Sequence, residues 1–71
     1  MRVKVDLESN ALYFRVSENE IEESEQISDD IILDYDKEGK VVGIELLNLK
    51  ECFDIKELMN LKVEFPTVVN V

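Results

Sequence analysis

The stretch that decides the fold is Ile31-Ile32-Leu33-Asp34-Tyr35-Asp36-Lys37-Glu38-Gly39-Lys40-Val41-Val42-Gly43-Ile44-Glu45-Leu46. Two β-rich runs flank a polar four-residue turn. Asp36 stands at the first turn position and Gly39 at the fourth, which suits a type I turn followed by a left-handed glycine. Pairing Asp36 with Lys40 closes the loop. It places Tyr35 opposite Val41 and predicts Ile32 opposite Ile44. One face then carries Ile31, Leu33, Tyr35, Val41 and Leu47, and the other Ile32, Val42, Ile44 and Leu46. Both faces read as apolar, the pattern of a central pair of strands covered on both sides.

The same stretch has a second reading. Asp34, Asp36, Glu38 and Glu45 fall at positions one, three, five and twelve of a calcium loop, with Gly39 at position six and Val41 at the apolar eighth. Such a loop joins two helices, whereas this one joins alternating, β-branched segments. On the pairing above, Asp34 and Glu45 also lie on opposite faces. The turn reading therefore prevails, and Asp34, Asp36 and Glu38 are kept only as candidate ligands for a divalent cation.

Outward from the hairpin, Val3, Val5 and Leu7 alternate with Arg2, Lys4 and Asp6, which predicts a half-buried strand. Ala11-Leu12-Tyr13-Phe14-Arg15-Val16 predicts its hairpin partner across the polar Glu8-Ser9-Asn10. Residues 20–28 read as an exposed strand with glutamates along it, a device that discourages edge pairing. Downstream, Asp54 and Glu57 suggest a capping box for a helix over Ile55–Asn60. Phe53 and Leu58 are placed as its hydrophobic staple, and Asn60 as its left-handed terminus. Leu61 to Phe65 alternate again before Pro66. The expected fold is α+β: an antiparallel β meander of four to five strands with one short C-terminal helix packed on the sheet. One domain spans 1–71, with the meander over 1–49 and the helix plus short strand or tail over 50–71.

The 71 residues carry 17 acids, 8 bases and no histidine, for a net charge of −9. Residues 17–38 hold ten of the acids and one base, so this segment alone accounts for the −9. A field of that sign repels nucleic acid and anionic membranes and favours a basic protein surface. The candidate docking acids are Glu18, Glu20, Glu22, Glu23, Glu25, Asp29 and Asp30. No apolar run approaches the roughly 18 residues that span a bilayer. Met1-Arg2-Val3-Lys4 leads into alternation rather than an apolar leader core. With Cys52 alone and no pairing available, the expected location is the reducing cytoplasm.

No catalytic constellation is recognisable. Histidine, the commonest general base, is missing, and Cys52 has no imidazole to activate it. No carboxylate stands in an apolar setting that singles it out as a raised-pKa acid, and the two glycines form no phosphate cradle. The chain is therefore expected not to be an enzyme and to need no cofactor. Tyr13 and Tyr35 are read as cross-strand packing.

The order of blocks is distinctive. Ala11-Leu12-Tyr13-Phe14-Arg15-Val16, Ile21-Glu22-Glu23-Ser24, Ile32-Leu33-Asp34-Tyr35-Asp36 and Gly39-Lys40-Val41-Val42-Gly43-Ile44-Glu45 resemble a family of short prokaryotic proteins. That family is catalogued as domain of unknown function twenty-two eighty-three. The resemblance covers about residues 1–49. It implies a small β meander with a C-terminal helix and brings no activity, ligand or catalytic residue. The functional expectation is a protein-binding or regulatory module that uses its acidic face, with an antitoxin-like neutraliser of a basic protein as one version. The alternatives are a divalent-cation binder and a purely structural or oligomerisation domain. Two apolar hairpin faces and one short helix leave too little cover. A homodimer is therefore expected, with the sheet face or the tail Val63 to Val71 buried between subunits.

Overall fold

Asp36 closes the hairpin with both its backbone and its side chain. The Gly39 N–H donates to the Asp36 carbonyl at 3.0 Å, and the Asp36 N–H donates to the Lys40 carbonyl at 2.9 Å. Gly39 sits at φ 82°, a left-handed conformation that costs glycine little. The Asp36 carboxylate accepts from the amides of Glu38 (2.9 Å) and Lys40 (3.0 Å). The sequence expectation for this turn holds.

The computed structural model describes residues 1–66; Thr67 to Val71 of the apolar tail lie outside them. Among the described residues, five strands form one antiparallel sheet: β1 (Arg2–Asp6), β2 (Ala11–Arg15), β3 (Glu23–Gln26), β4 (Ile31–Tyr35) and β5 (Val41–Leu46). Their order is β1-β2-β5-β4-β3. The order is meander-like: a hairpin and a three-stranded meander are joined by β2 against β5. Two short helices follow, α1 (Leu49–Cys52) and α2 (Ile55–Leu58), so the fold is α+β.

The central register differs from the sequence expectation by one residue. Tyr35 pairs with Val41 as expected, but Asp34 then pairs with Gly43, Leu33 with Ile44 and Ile32 with Glu45. Val42 is the extra residue of a β-bulge. Its carbonyl accepts from the amides of Val16 (2.8 Å) and Ser17 (3.3 Å), and its side chain is 1% exposed. The two residues that follow β2 therefore satisfy the backbone carbonyl that β4 leaves unpaired. Because side chains alternate with a period of two, one inserted residue exchanges the faces of everything beyond it.

The expectation of two apolar faces, and of Ile32 opposite Ile44, is overturned for this reason. One face carries the row Val3, Phe14, Ile44, Leu33, Glu25, and beside it Val5, Leu12, Leu46 and Ile31. The other carries Arg2, Arg15, Gly43, Asp34, Ser24, and beside it Lys4, Tyr13, Glu45, Ile32 and Gln26. The sheet has one apolar and one polar face.

The helical region also differs. Asp54 caps α2 as expected, accepting from the Lys56 amide at 3.0 Å. α2 ends at Leu58, however, buries no side chain, and Asn60 is not left-handed. The helix that packs is α1, absent from the sequence expectation, whose Leu49 is 0% exposed. α1 is clamped by a residue forty positions away. The Asn10 carbonyl accepts from the Leu49 amide at 3.0 Å and its Oδ1 from the Lys50 amide at 2.8 Å, while its Nδ2 donates to Glu51. Asn10 replaces the local cap that Asn48 does not provide. Both asparagines occupy left-handed conformations, which their short polar side chains tolerate. Leu61 to Phe65 form no strand; Leu61, Val63 and Phe65 are exposed. Alternation alone forms no strand without a partner edge.

Candidate functional site

The polar face is built around Asp34, which is 1% exposed although it is a carboxylate. Burying such a group is costly unless its oxygens are bonded. Here both are. Ser24 Oγ on β3 donates to Oδ1, and the Tyr13 hydroxyl on β2 donates to Oδ2 at 3.2 Å. Tyr13 reaches Asp34 across β5 because Gly43 has no side chain. A Cβ at position 43 would stand 2.6 Å from the Tyr13 hydroxyl and 3.0 Å from Asp34 Oδ2. Gly43 is thus a requirement of close approach.

Arg15 completes the layer. Its Nη1 donates to the Tyr13 hydroxyl at 3.0 Å, its Nε to the Ser17 carbonyl at 2.6 Å and its Nη2 to the Asn19 carbonyl. The bond to Tyr13 holds the guanidinium pKa above its ordinary value. One arginine thereby ties the loop after β2 to the sheet. Asn19 passes the connection on, donating to Asp36 at 3.3 Å. The amides of Lys40 and Glu38, in that order of effect, and then Asn19 hold the Asp36 carboxyl below its usual range.

Glu45 lies on the same face, beside Asp34. Burial pushes its carboxyl above the ordinary value, and hydrogen bonding and repulsion from Asp34 raise it further. Two sequence expectations are corrected here. Asp34 and Glu45 are not on opposite faces, because the bulge at Val42 restores their common parity. A carboxylate with a raised pKa does exist. Neither was legible without the bulge.

The candidate cation ligands Asp34, Asp36 and Glu38 are not gathered. Asp34 is engaged by Ser24 and Tyr13, and Asp36 by its own turn. Among the described residues, no group of three metal-ligating side chains could hold an ion.

The candidate docking acids are divided across the sheet. β3 is an edge strand with all four residues exposed, and it carries Glu23 and Glu25. Glu18 is away from this edge, paired in solvent at 2.9 Å with Arg2 of β1, the opposite edge strand. Between β3 and β4, Asp30 has a structural task. Its carbonyl accepts from the Leu47 amide at 2.7 Å and its carboxylate from Asn48 at 2.8 Å. Between the loop after β2 and the Asp36 turn lies an open cleft of about 340 Å³, lined by Asn19, Glu20, Glu22, Asp36, Lys37 and Glu38. A neighbouring cleft of about 330 Å³ shares Glu22, Asp36 and Lys37 and adds Glu23, Glu25, Tyr35 and Gly39. Cys52 is exposed; local desolvation of its sulfur and then Asp30 raise its thiol pKa, which disfavours the reactive thiolate. No helix is long and apolar enough to cross a membrane among the described residues.

No curated protein and no solved structure matches the chain significantly. A family described as Protein of unknown function (DUF2283) matches residues 2–50, which span the whole sheet and the start of α1. The chain therefore belongs to that family.

Proposed function

We propose that the chain is a non-enzymatic protein-binding module, acting in the cytoplasm, that receives a basic segment of a partner along its β3 edge. The observation that carries this reading is the pair of adjoining acidic clefts beside an exposed edge strand. Glu20 and Glu22 make no ion pair among the described residues, so their charge is available to a partner. Lysine or arginine side chains suit such openings, because a long apolar stem fills the cleft while the charged head meets carboxylates. The free edge of β3 can add main-chain hydrogen bonds to an extended peptide. The buried state of Asp34 supports a binding role over catalysis: its oxygens are occupied by neighbouring side chains and closed to a substrate. Neutralising a small basic protein is one form this role takes.

The test is titration of a lysine- and arginine-rich peptide into the wild-type chain and a Glu20→Gln, Glu22→Gln, Glu38→Gln variant. Affinity is expected to fall at least about tenfold in the variant, and the salt dependence to flatten. Equal affinities would remove the clefts from the account.

A further inference from the structure

The hydrogen-bond parity of β3 fixes which of its main-chain groups are free. The Ile27 N–H donates to the Ile31 carbonyl at 3.0 Å. In an antiparallel ladder, hydrogen-bonded and non-hydrogen-bonded pairs alternate. Stepping by two from Ile27 and Ile31 makes Glu25–Leu33 and Glu23–Tyr35 hydrogen-bonded pairs, with Ser24–Asp34 and Gln26–Ile32 the non-hydrogen-bonded pairs between them. The far side of β4 agrees. The Leu47 amide donates to the Asp30 carbonyl, so Ile32 and Asp34 bond to β5, and Ile31, Leu33 and Tyr35 are left for β3. The main-chain N–H and C=O groups of Ser24 and Gln26 therefore point outward from the sheet. No loop backbone among the described residues bonds them, and both residues are exposed. The edge offers an alternating set of donors and acceptors to an extended chain.

Building on the reading of this edge as a docking site, we propose that the partner segment joins the sheet as a further strand antiparallel to β3, with lysine or arginine at every second position. The main chain of Ser24 and Gln26 holds the strand, and the side chains of Glu23 and Glu25 select its sequence. A partner residue opposite Ser24 or Gln26 forms a hydrogen-bonded pair and lies on the polar face. The Ser24 hydroxyl is already given to Asp34, so a small polar residue of high strand propensity, such as threonine, suits that position. Residues opposite Glu23 and Glu25 fall in non-hydrogen-bonded pairs. In that class the facing side chains come closest, with Cα atoms about 4.5 Å apart. Both glutamates share a face with Tyr35, and together with Tyr35 and Glu22 they line the cleft of about 330 Å³. A lysine or arginine opposite each glutamate meets a carboxylate while its apolar stem lies along the cleft. Ile27, next in the same row and 49% exposed, suits an apolar partner residue. The glutamates also exclude the same edge of another copy, since glutamate would then stand beside glutamate.

The probe is a capped peptide, acetyl-Val-Thr-Lys-Thr-Lys-amide, titrated at low salt into the isotope-labelled wild-type chain and followed by nuclear magnetic resonance. In the antiparallel register its threonines face Gln26 and Ser24, its lysines face Glu25 and Glu23, and its valine faces Ile27. Two modified forms separate main-chain pairing from charge. N-methylation of both threonine amides removes the donors to Gln26 and Ser24 and is expected to weaken binding at least about tenfold. N-methylation of both lysine amides, which point away from the protein, is expected to change affinity less than about threefold. Amide exchange reads the same pairing from the protein. In the free chain the Glu25 amide is expected to exchange more slowly than those of Ser24 and Gln26, and the unmodified peptide should slow the latter two. Equal affinity of all three peptides, or a loss confined to the lysine-methylated form, would overturn the added strand while leaving acidic clefts that bind basic segments. No binding of the unmodified peptide would also overturn it, and the lysine- and arginine-rich peptide of the cleft test then decides the docking reading separately.

Discussion

The two faces of this sheet are held by different means. On the polar face, five cross-strand positions, Arg2, Arg15, Gly43, Asp34 and Ser24, include a buried carboxylate, an arginine and a glycine that exists to be overlain by Tyr13. Each group is positioned by another, so the face specifies register. On the apolar face, burial is uneven: Leu12 is closed off, and the rest stays partly open. The difference teaches that in a chain this small the polar layer supplies uniqueness, while a few deep side chains supply most of the apolar stabilisation.

The comparison can be broken at its deepest point first. Leu49→Ala removes a side chain that is 0% exposed and should cost about 2–5 kcal/mol, comparable to the whole stability of a small domain. Val3→Ala on the open face should cost under about 1 kcal/mol by partial-burial scaling. Urea unfolding of the two variants measures the contrast; equal losses would mean that apolar stabilisation is spread evenly.

The polar face breaks next. Gly43→Ala forces the Tyr13 hydroxyl away and should cost about 1–3 kcal/mol. In a Tyr13→Phe background the clash with the hydroxyl is gone, so the same change should cost measurably less. Additive losses in the thermodynamic cycle would argue that Tyr13 does not overlie Gly43. Asn10→Ala tests the clamp on α1. Losing the bond to the Lys50 amide and adopting φ 56° with an alanine should together cost about 1–2 kcal/mol, read from thermal melts.

The smallest effect concerns pH and distinguishes two carboxylates of opposite sign. The folded pKa of Asp36 is depressed, so its contribution is present above its ordinary value of 3.8 and is lost as pH falls through the lower folded value. Glu45 is raised, so its protonated form favours folding, and that benefit is lost as pH rises from 4.5 through the higher folded value. Glu45→Gln keeps a donor beside Asp34 without the charge. It should be more stable than the wild type at neutral pH and lack the wild type's gain on mild acidification. Identical pH profiles would contradict the placement of Glu45 beside Asp34.

Much of the fold was legible in the residues. Alternation marked the N-terminal hairpin, and Asp36 with Gly39 marked the central turn. Asp54 marked a helix start. The bulge was not legible. Val41 and Val42 are both β-branched and apolar, and nothing in their identity says that Val42 will be held by Val16 and Ser17 instead of pairing across to β4. That single residue decided which side chains share a face, and with it the site around Asp34. α1 was missed because it has no side-chain cap of its own; its cap is Asn10, forty residues upstream of Lys50 in the chain. The acidic stretch was visible as charge, but the division of labour within it, with Asp30 bonded to Asn48 and Glu20 lining a cleft, needed three dimensions.

The central claim is that the Val42 bulge separates a polar from an apolar face. Cross-strand contacts measured by nuclear magnetic resonance test it most directly. The predicted result is proximity of the Leu33 and Ile44 backbones and of Asp34 and Gly43. Proximity of Ile32 and Ile44 instead would mean an unbulged hairpin with Asp34 and Glu45 on opposite faces, and would contradict the account.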